Sequence, residues 1–271
     1  MSLNNVLLKI LKICEENYIS DPYIVGGIPR DIYLNRENDF RDIDITTNDS
    51  DTARLAITTA YSLNKGFKVY PDSHVSIFLE NKTLDFSSNF VSTDVIAFME
   101  KDLGIEDPKL FEVFSRDFTI NTLHKSFLDN NIIDPTNMGI NDLNNKIIRT
   151  PVPAAITIQD DVRRLFRAIN FAARLNFNID EDIVQYALEN RRSFTGENRW
   201  KLKDAFLTSL IGESIEADAD ITMHYISEMN LLPVIPMVGR FKDELIKRKL
   251  VGKYLDDAIN MTDYELQNIE L

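Results

Sequence analysis

The chain has 271 residues, 44% of them hydrophobic and 27% charged, with 43 acidic against 30 basic side chains and a formal net charge of −13. This length and apolar content support one large or two small domains with a sizeable core, which excludes wholesale disorder. The acidic balance excludes a protein that coats nucleic acid non-specifically, because gripping the phosphate backbone depends on basic side chains that displace counterions.

Residues 4–17 show helical periodicity, and the single cysteine, Cys14, falls on the apolar stretch of that helix. One cysteine allows no intrachain disulfide and no Cys-based zinc site. Lys9, Lys12, Glu15 and Glu16 interrupt the apolar run, so no signal peptide is expected there. No stretch approaches the roughly 18 apolar residues of a membrane span. These features point to a reducing, cytoplasmic setting.

Residues 22–26 read as a short buried strand ending in Gly26-Gly27, and Pro29 suits the first turn of a helix reaching about Asn35. Glycines at a strand-to-helix junction let backbone approach a ligand, and Arg30 adds a permanent cation suited to phosphate. Residues 42–46 alternate polar and apolar, as a half-buried strand does, which puts Asp42 and Asp44 on one face. Two carboxylates held that close favour a cation between them, and hard oxygen ligands select Mg²⁺. A helix over 52–64 and strands near 67–70, 74–79 and 83–87 follow, with a turn at Asn81-Lys82. Asp85 on the last of these strands offers a third carboxylate, the complement of a two-metal transfer site.

From Gln159 onward the pattern is helical, over 159–176, 180–191, 198–211, 217–230 and 240–258. Asp160-Asp161-Val162-Arg163-Arg164 lies early in the first of these, where Asp161 and Arg164 at i, i+3 can share a face. A carboxylate accepts and a guanidinium donates, which matches the amino group and ring-nitrogen acceptor of adenine or cytosine and mismatches uracil and guanine. The same spacing equally describes an intrahelical salt bridge. Two basic islands stand out, one with Arg191, Arg192 and Arg199 and one with Lys247, Arg248 and Lys249. Each reads either as a solvated helix face or as a local RNA contact. The fold class expected is α+β, a mixed α/β domain followed by an all-α one.

The ordered set Gly26-Gly27-Ile28-Pro29-Arg30-Asp31, Asp42-Ile43-Asp44, Arg116-Asp117-Phe118-Thr119-Ile120-Asn121 and Asp160-Asp161-Val162-Arg163-Arg164-Leu165-Phe166-Arg167-Ala168 resembles the class II tRNA nucleotidyltransferases (CCA-adding enzymes) and the bacterial-type poly(A) polymerases. The resemblance covers about residues 20–236. It implies a nucleotidyltransferase head over 1–140, a helical neck for nucleotide selection over 141–236 and a short helical extension over 237–271. It implies template-independent addition of CMP and AMP to an RNA 3′ end, with tRNA as the partner and ATP and CTP as substrates. Asp42 and Asp44 would hold two Mg²⁺ ions, and Asp85 would stand at the family's third acidic position, where Glu is usual. Arg116, Asp117 and Asn121 match the motif tied to sugar recognition, Asp161 and Arg164 the pair that reads the base, and Arg30 and Arg167 groups near the triphosphate. Poly(A) addition, another acceptor, or a non-catalytic RNA-binding derivative are the alternatives.

The chain departs from the family pattern in places. Ser115 stands for an arginine, Asp160 for a glutamate and Phe90 near an expected arginine, and residues 91–110 are acidic and apolar where the family has a basic flexible loop. A short form without the family's body and tail domains is expected, with RNA held by the basic islands, by another protomer or by an accessory protein.

Overall fold

The structure is a computed structural model that describes residues 3–36, 40–71, 74–88, 90–127, 131–190 and 204–231. Both basic islands and the 237–271 extension lie outside the described residues, so Arg191, Arg192, Arg199, Lys247, Arg248 and Lys249 receive no structural account. The chain divides after Asn145 into two compact units.

The first unit is built on a seven-stranded sheet. Its strands are β1 (Tyr23–Ile24), β2 (Asp42–Thr46), β3 (Phe67–Val69), β4 (Val75–Phe78), β5 (Thr83–Phe86), β6 (His124–Ser126) and β7 (Ile132–Ile133), in the order β3-β4-β5-β2-β1-β6-β7. Only the β2–β5 pairing is parallel, and every other neighbour is antiparallel. Side chains alternate across a strand. Ile43 and Ile45 of β2, Val75 and Ile77 of β4, and Leu84 and Phe86 of β5 therefore share one face and are essentially fully buried. Helices α1 (Leu3–Asn17) and α3 (Asp51–Leu63) supply Ile10, Cys14, Leu55 and Ala56 to the same core. Burial pushes the Cys14 thiol up to about 11, so it packs as an apolar group and is not a nucleophile. The opposite face of β2 and β5 is left to Asp42, Asp44 and Asp85.

The strand expected over 22–26 shrinks to Tyr23–Ile24. Pro22 has no N–H for a ladder, and Gly26 at φ 73° turns the chain into α2 (Gly27–Tyr33). Residues 91–110 are helical over Thr93–Leu103 and again from Pro108. Thr93–Phe98 is α4, capped by Ser92, and passes directly into a π-helical turn, Met99–Leu103. Val95 and Met99 are fully buried beneath it. Asp107 and Pro108 then start α5 (Pro108–Phe114), the cap accepting from the Lys109 N–H. Helix α6 (Gly139–Asn145) closes the unit.

The second unit is helical in its described part, apart from one two-residue parallel pairing, β8 (Ile147–Ile148) with β9 (Asn178–Ile179). Its helices are α7 (Ala154–Asp160), α8 (Arg163–Leu175), α9 (Glu181–Asn190), α10 (Asp204–Ala217) and α11 (Ala219–Glu228). The strongly amphipathic α8 is the centre: Leu165, Phe166, Ala168, Ile169 and Ala172 are fully buried where α7, α10 and α11 pack on it. The continuous helix expected over 159–176 is broken. Asp161 has an extended backbone (φ −148°, ψ 99°) and separates α7 from α8.

Candidate active site

Sheet register assembles the carboxylates. In the parallel β2–β5 pair Asp44 stands directly opposite Asp85, and Asp42 lies two residues before Asp44 on the same face. Asp44 is largely buried, and its carboxyl is raised above the usual carboxylate range, first by desolvation, then by the neighbouring Asp85 charge, with Asp42 adding to it. Arg116 and His74 pull the other way without cancelling the shift. Crowded like charges in a half-dry place are relieved by a cation, which is the physical fit these residues offer to Mg²⁺. Among the described residues no three of His, Cys, Asp and Glu converge as a preformed metal cage. The donor set of Asp42, Asp44 and Asp85 is all hard oxygen, which suits a cation held by one or two carboxylates and completed by substrate phosphates.

Asp85 is restrained from the strand on its other side. Ser76 of β4, its direct cross-strand partner, donates from Oγ to Asp85 Oδ1 at 2.5 Å, and His74 Nε2 lies 3.2 Å from the same oxygen. The His74 ring stacks on Tyr70 at 4.9 Å between centroids. Neither Ser76 nor His74 was predicted as a site residue. Both lie in an otherwise apolar strand, and the pairing that joins them to Asp85 crosses a turn.

Gly26 forms the floor beside Asp44. A Cβ there would sit 2.8 Å from Asp44 Oδ2, so only glycine lets the backbone pass this close to the carboxylate. At Gly27 a Cβ would meet the Arg30 guanidinium at 3.2 Å. Arg30 is buried: Nε donates to Asp31 Oδ1 and Nη1 to Asn121 Oδ1, each at 2.8 Å. Asn121 Nδ2 in turn donates to Asp117 Oδ1 at 3.0 Å, and the same oxygen accepts the Phe118 N–H at 2.8 Å. The motif Arg116-Asp117-Phe118-Thr119-Ile120-Asn121 is thus tied to α2 through Arg30, whose observed role is structural support. Arg116 is buried too, and donates from Nη2 to Glu112 Oε1 at 3.1 Å, while its Nε has no hydrogen-bond partner among the described residues. Glu112, the counter-charge, is a further residue the sequence pattern did not single out.

The helix break reshapes the Asp161/Arg164 pair. Asp161 makes its ion pair with Arg163, Nε to Oδ1 at 2.8 Å, and not with Arg164. Arg164 Nη1 donates to the Thr157 carbonyl at 3.2 Å. The two do not lie on one continuous helix as expected: Asp161 is the extended residue before α8, and its carbonyl accepts from the Arg164 N–H of the first turn at 3.0 Å. Arg167 lies with its guanidinium 5.4 Å from the Phe171 ring centroid.

A model of the poly A polymerase head domain matches residues 22–149. Over 162 residues the chain is 32% identical to the tRNA nucleotidyltransferase cca1 of Schizosaccharomyces pombe, which covers 58% of this chain and 30% of that protein. Over 215 residues it is 27% identical to the CCA-adding enzyme of Lactobacillus johnsonii, covering 76% of this chain and 52% of the relative. The chain thus spans about half or less of the length of these curated relatives. A solved complex of a CCA-adding enzyme with ATP superimposes with a TM-score of 0.58 at 25% identity, over 83% of this chain and 52% of that one. The mixed α/β head shares its fold with that structure, and the superposition extends into the helical part of the chain.

Proposed function

Because the chain belongs to the class II tRNA nucleotidyltransferase family, with a poly(A) polymerase head domain at residues 22–149, we propose that it adds CMP and AMP to RNA 3′ ends without a template, in the manner of CCA addition to tRNA. The observation that carries this reading is the carboxylate face of β2 and β5, where half-buried Asp44 stands opposite Asp85, its carboxyl raised first by desolvation and then by that neighbour. We assign the chemistry to residues 1–140 and the choice of nucleotide to 141–236.

In this reading ATP and CTP are the substrates. Two Mg²⁺ ions held by Asp42 and Asp44 would supply charge neutralisation on the triphosphate and lower the barrier to losing the primer hydroxyl proton. The primer 3′ oxygen forms its bond to the α-phosphorus as the bond to the leaving pyrophosphate breaks. Asp85, fixed by Ser76 and His74, favours departure of the hydroxyl proton. The Arg30–Asn121–Asp117 chain of hydrogen bonds keeps the sugar-side motif in place. Asp161 accepts from the exocyclic amino group of adenine or cytosine, Arg164 donates to the ring nitrogen, and Arg167 supports the triphosphate side. The acceptor is an RNA 3′ end, tRNA or tRNA-like, held by the basic side chains Arg191, Arg192, Arg199, Lys247, Arg248 and Lys249 or by a second protomer or accessory protein. We place the activity in a reducing, cytoplasmic setting, which the lone thiol of Cys14 favours.

The test is incorporation of ATP and CTP, supplied separately, on RNAs ending in none, part or all of CCA. Sequential CMP and AMP addition that stops at CCA is expected, and loss of it by at least about 10³-fold in the Asp42→Ala/Asp44→Ala variant with an unchanged circular-dichroism spectrum. Incorporation that persists in the double variant overturns the metal assignment. Extension with ATP alone beyond CCA replaces CCA addition by poly(A) synthesis.

A further inference from the structure

The residue between the two proposed base readers does more than join them. Asp161 ends α7 in extended conformation and Arg163 opens α8. Across that short span the Arg163 guanidinium forks onto the carboxylate: Nε donates to Oδ1 at 2.8 Å and Oδ2 at 3.0 Å, and Nη2 donates to Oδ2 at 2.8 Å. The Arg163 backbone N–H adds a bond to Oδ1 at 3.0 Å. Both acceptor oxygens of Asp161 are therefore engaged by one neighbour, in the planar bidentate geometry that suits Arg and not Lys.

We propose that Arg163 is a specificity-determining residue that competes with the incoming base for Asp161. The inference rests on the reading of Asp161 and Arg164 as the base-reading pair. An adenine or cytosine amino group must take over part of an acceptor that already has a charged donor, so the nucleotide gains only the difference between the two. A base that presents a carbonyl where adenine and cytosine carry the amino group, as guanine and uracil do, loses less, because Asp161 stays satisfied by Arg163 and is not left as an unpaired acceptor. Arg163 thus lowers affinity for ATP and CTP and blunts rejection of GTP and UTP. The side chains are 54% and 26% exposed, so the ion pair is screened and exchangeable, a competitor rather than a block.

The experiment compares Arg163→Ala and Arg163→Lys, each in the native chain and in an Asp161→Asn background, by steady-state incorporation and by calorimetric ATP binding without primer. In the native background Arg163→Ala is expected to lower KM for ATP and CTP about three- to fivefold, the worth of an exposed ion pair, with the change carried by KM and not kcat. Preference for ATP and CTP over GTP and UTP rises by a similar factor, ATP binding tightens in step, and Arg163→Lys falls between. In the Asp161→Asn background Arg163→Ala loses most of its effect, because the charged bidentate acceptor is gone and one amide oxygen remains. An unchanged KM in the single variant, or the same drop in both backgrounds, overturns the competition. An unchanged nucleotide preference in Asp161→Asn alone overturns the base-reading assignment beneath it.

Discussion

At the scale of single residues, His124 shows how burial sets chemistry. It is 3% exposed, stacks on Tyr23 at 4.9 Å, and its Nε2 has no hydrogen-bond partner among the described residues. It lines a cavity of about 250 Å³ with Asp21, Asn48, Lys109 and Val113, which shares no residue with the carboxylate face. Burial, and then the charge of Arg116, push its imidazole down to about 3 from the ordinary 6.5. The folded chain therefore holds this histidine neutral throughout the range in which the unfolded chain protonates it. The unfolded state binds more protons between those two values, so stability falls as pH is lowered from about 6.5 towards 3, by up to about 1.4 kcal/mol per pH unit from this group. His124→Phe keeps the ring on Tyr23 and removes the titration. Urea unfolding at pH 7.0 and 5.5 should show the variant losing about 1 kcal/mol less than the native chain over that interval. Equal losses in both would mean that His124 is already charged in the folded state.

At the scale of elements, the junction of β1 with α2 is where backbone and carboxylate meet. Gly26 has φ 73°, and a side chain there would fall 2.8 Å from Asp44 Oδ2. Gly26→Ala therefore carries two separable costs. The backbone at φ 73°, ψ −130° lies in a region essentially kept for glycine and costs about 1–3 kcal/mol for an L-residue. The contact is relieved by rotating the Asp44 carboxylate away, which harms cation binding more than folding. The expected result is a melting temperature lowered by a few degrees, together with loss of most of the Mg²⁺-dependent rise in that temperature. Retention of the full Mg²⁺ response would separate Asp44 from the cation. The sequence shows part of this junction directly: the glycine pair, and the Asp-Ile-Asp-Ile alternation of β2, are local patterns with one structural solution. Other elements were less legible for physical reasons. Periodicity alone runs the helix through 159–176, because the extended Asp161 satisfies its carboxylate locally on Arg163 and leaves no mark on the apolar repeat. Ser76 and Glu112 were invisible as site residues because their partners, Asp85 and Arg116, are fixed by register and by burial. The helices over 93–114 were hidden behind an acidic, apolar composition whose apolar part, Val95, Met99 and Phe111, turns inward.

At the scale of the whole molecule, net charge and site chemistry constrain how the RNA of the proposed reaction would be held. The chain carries −13 overall, and the face of Asp42, Asp44 and Asp85 concentrates acid where the polyanionic substrate of the proposed reaction would arrive. In that reading long-range attraction would not bring RNA to such a surface; local basic groups, and cations bound at the carboxylates, would do so. The sequence offers Lys247, Arg248 and Lys249 as one such group. If these three contact the phosphates of a single-stranded 3′ end, each contributes about 0.7 to the slope of log affinity against log salt. Reversing all three to glutamate should then reduce the slope by about 2, and weaken binding most at low salt. Fluorescence anisotropy of a 3′-labelled RNA between 50 and 200 mM KCl reads that slope, and calorimetric ATP binding on the same variant should be unchanged. A slope equal to that of the native chain would remove these residues from the RNA contact. The grip would then pass to Arg191, Arg192 and Arg199, or to a second chain that supplies the positive charge this one lacks.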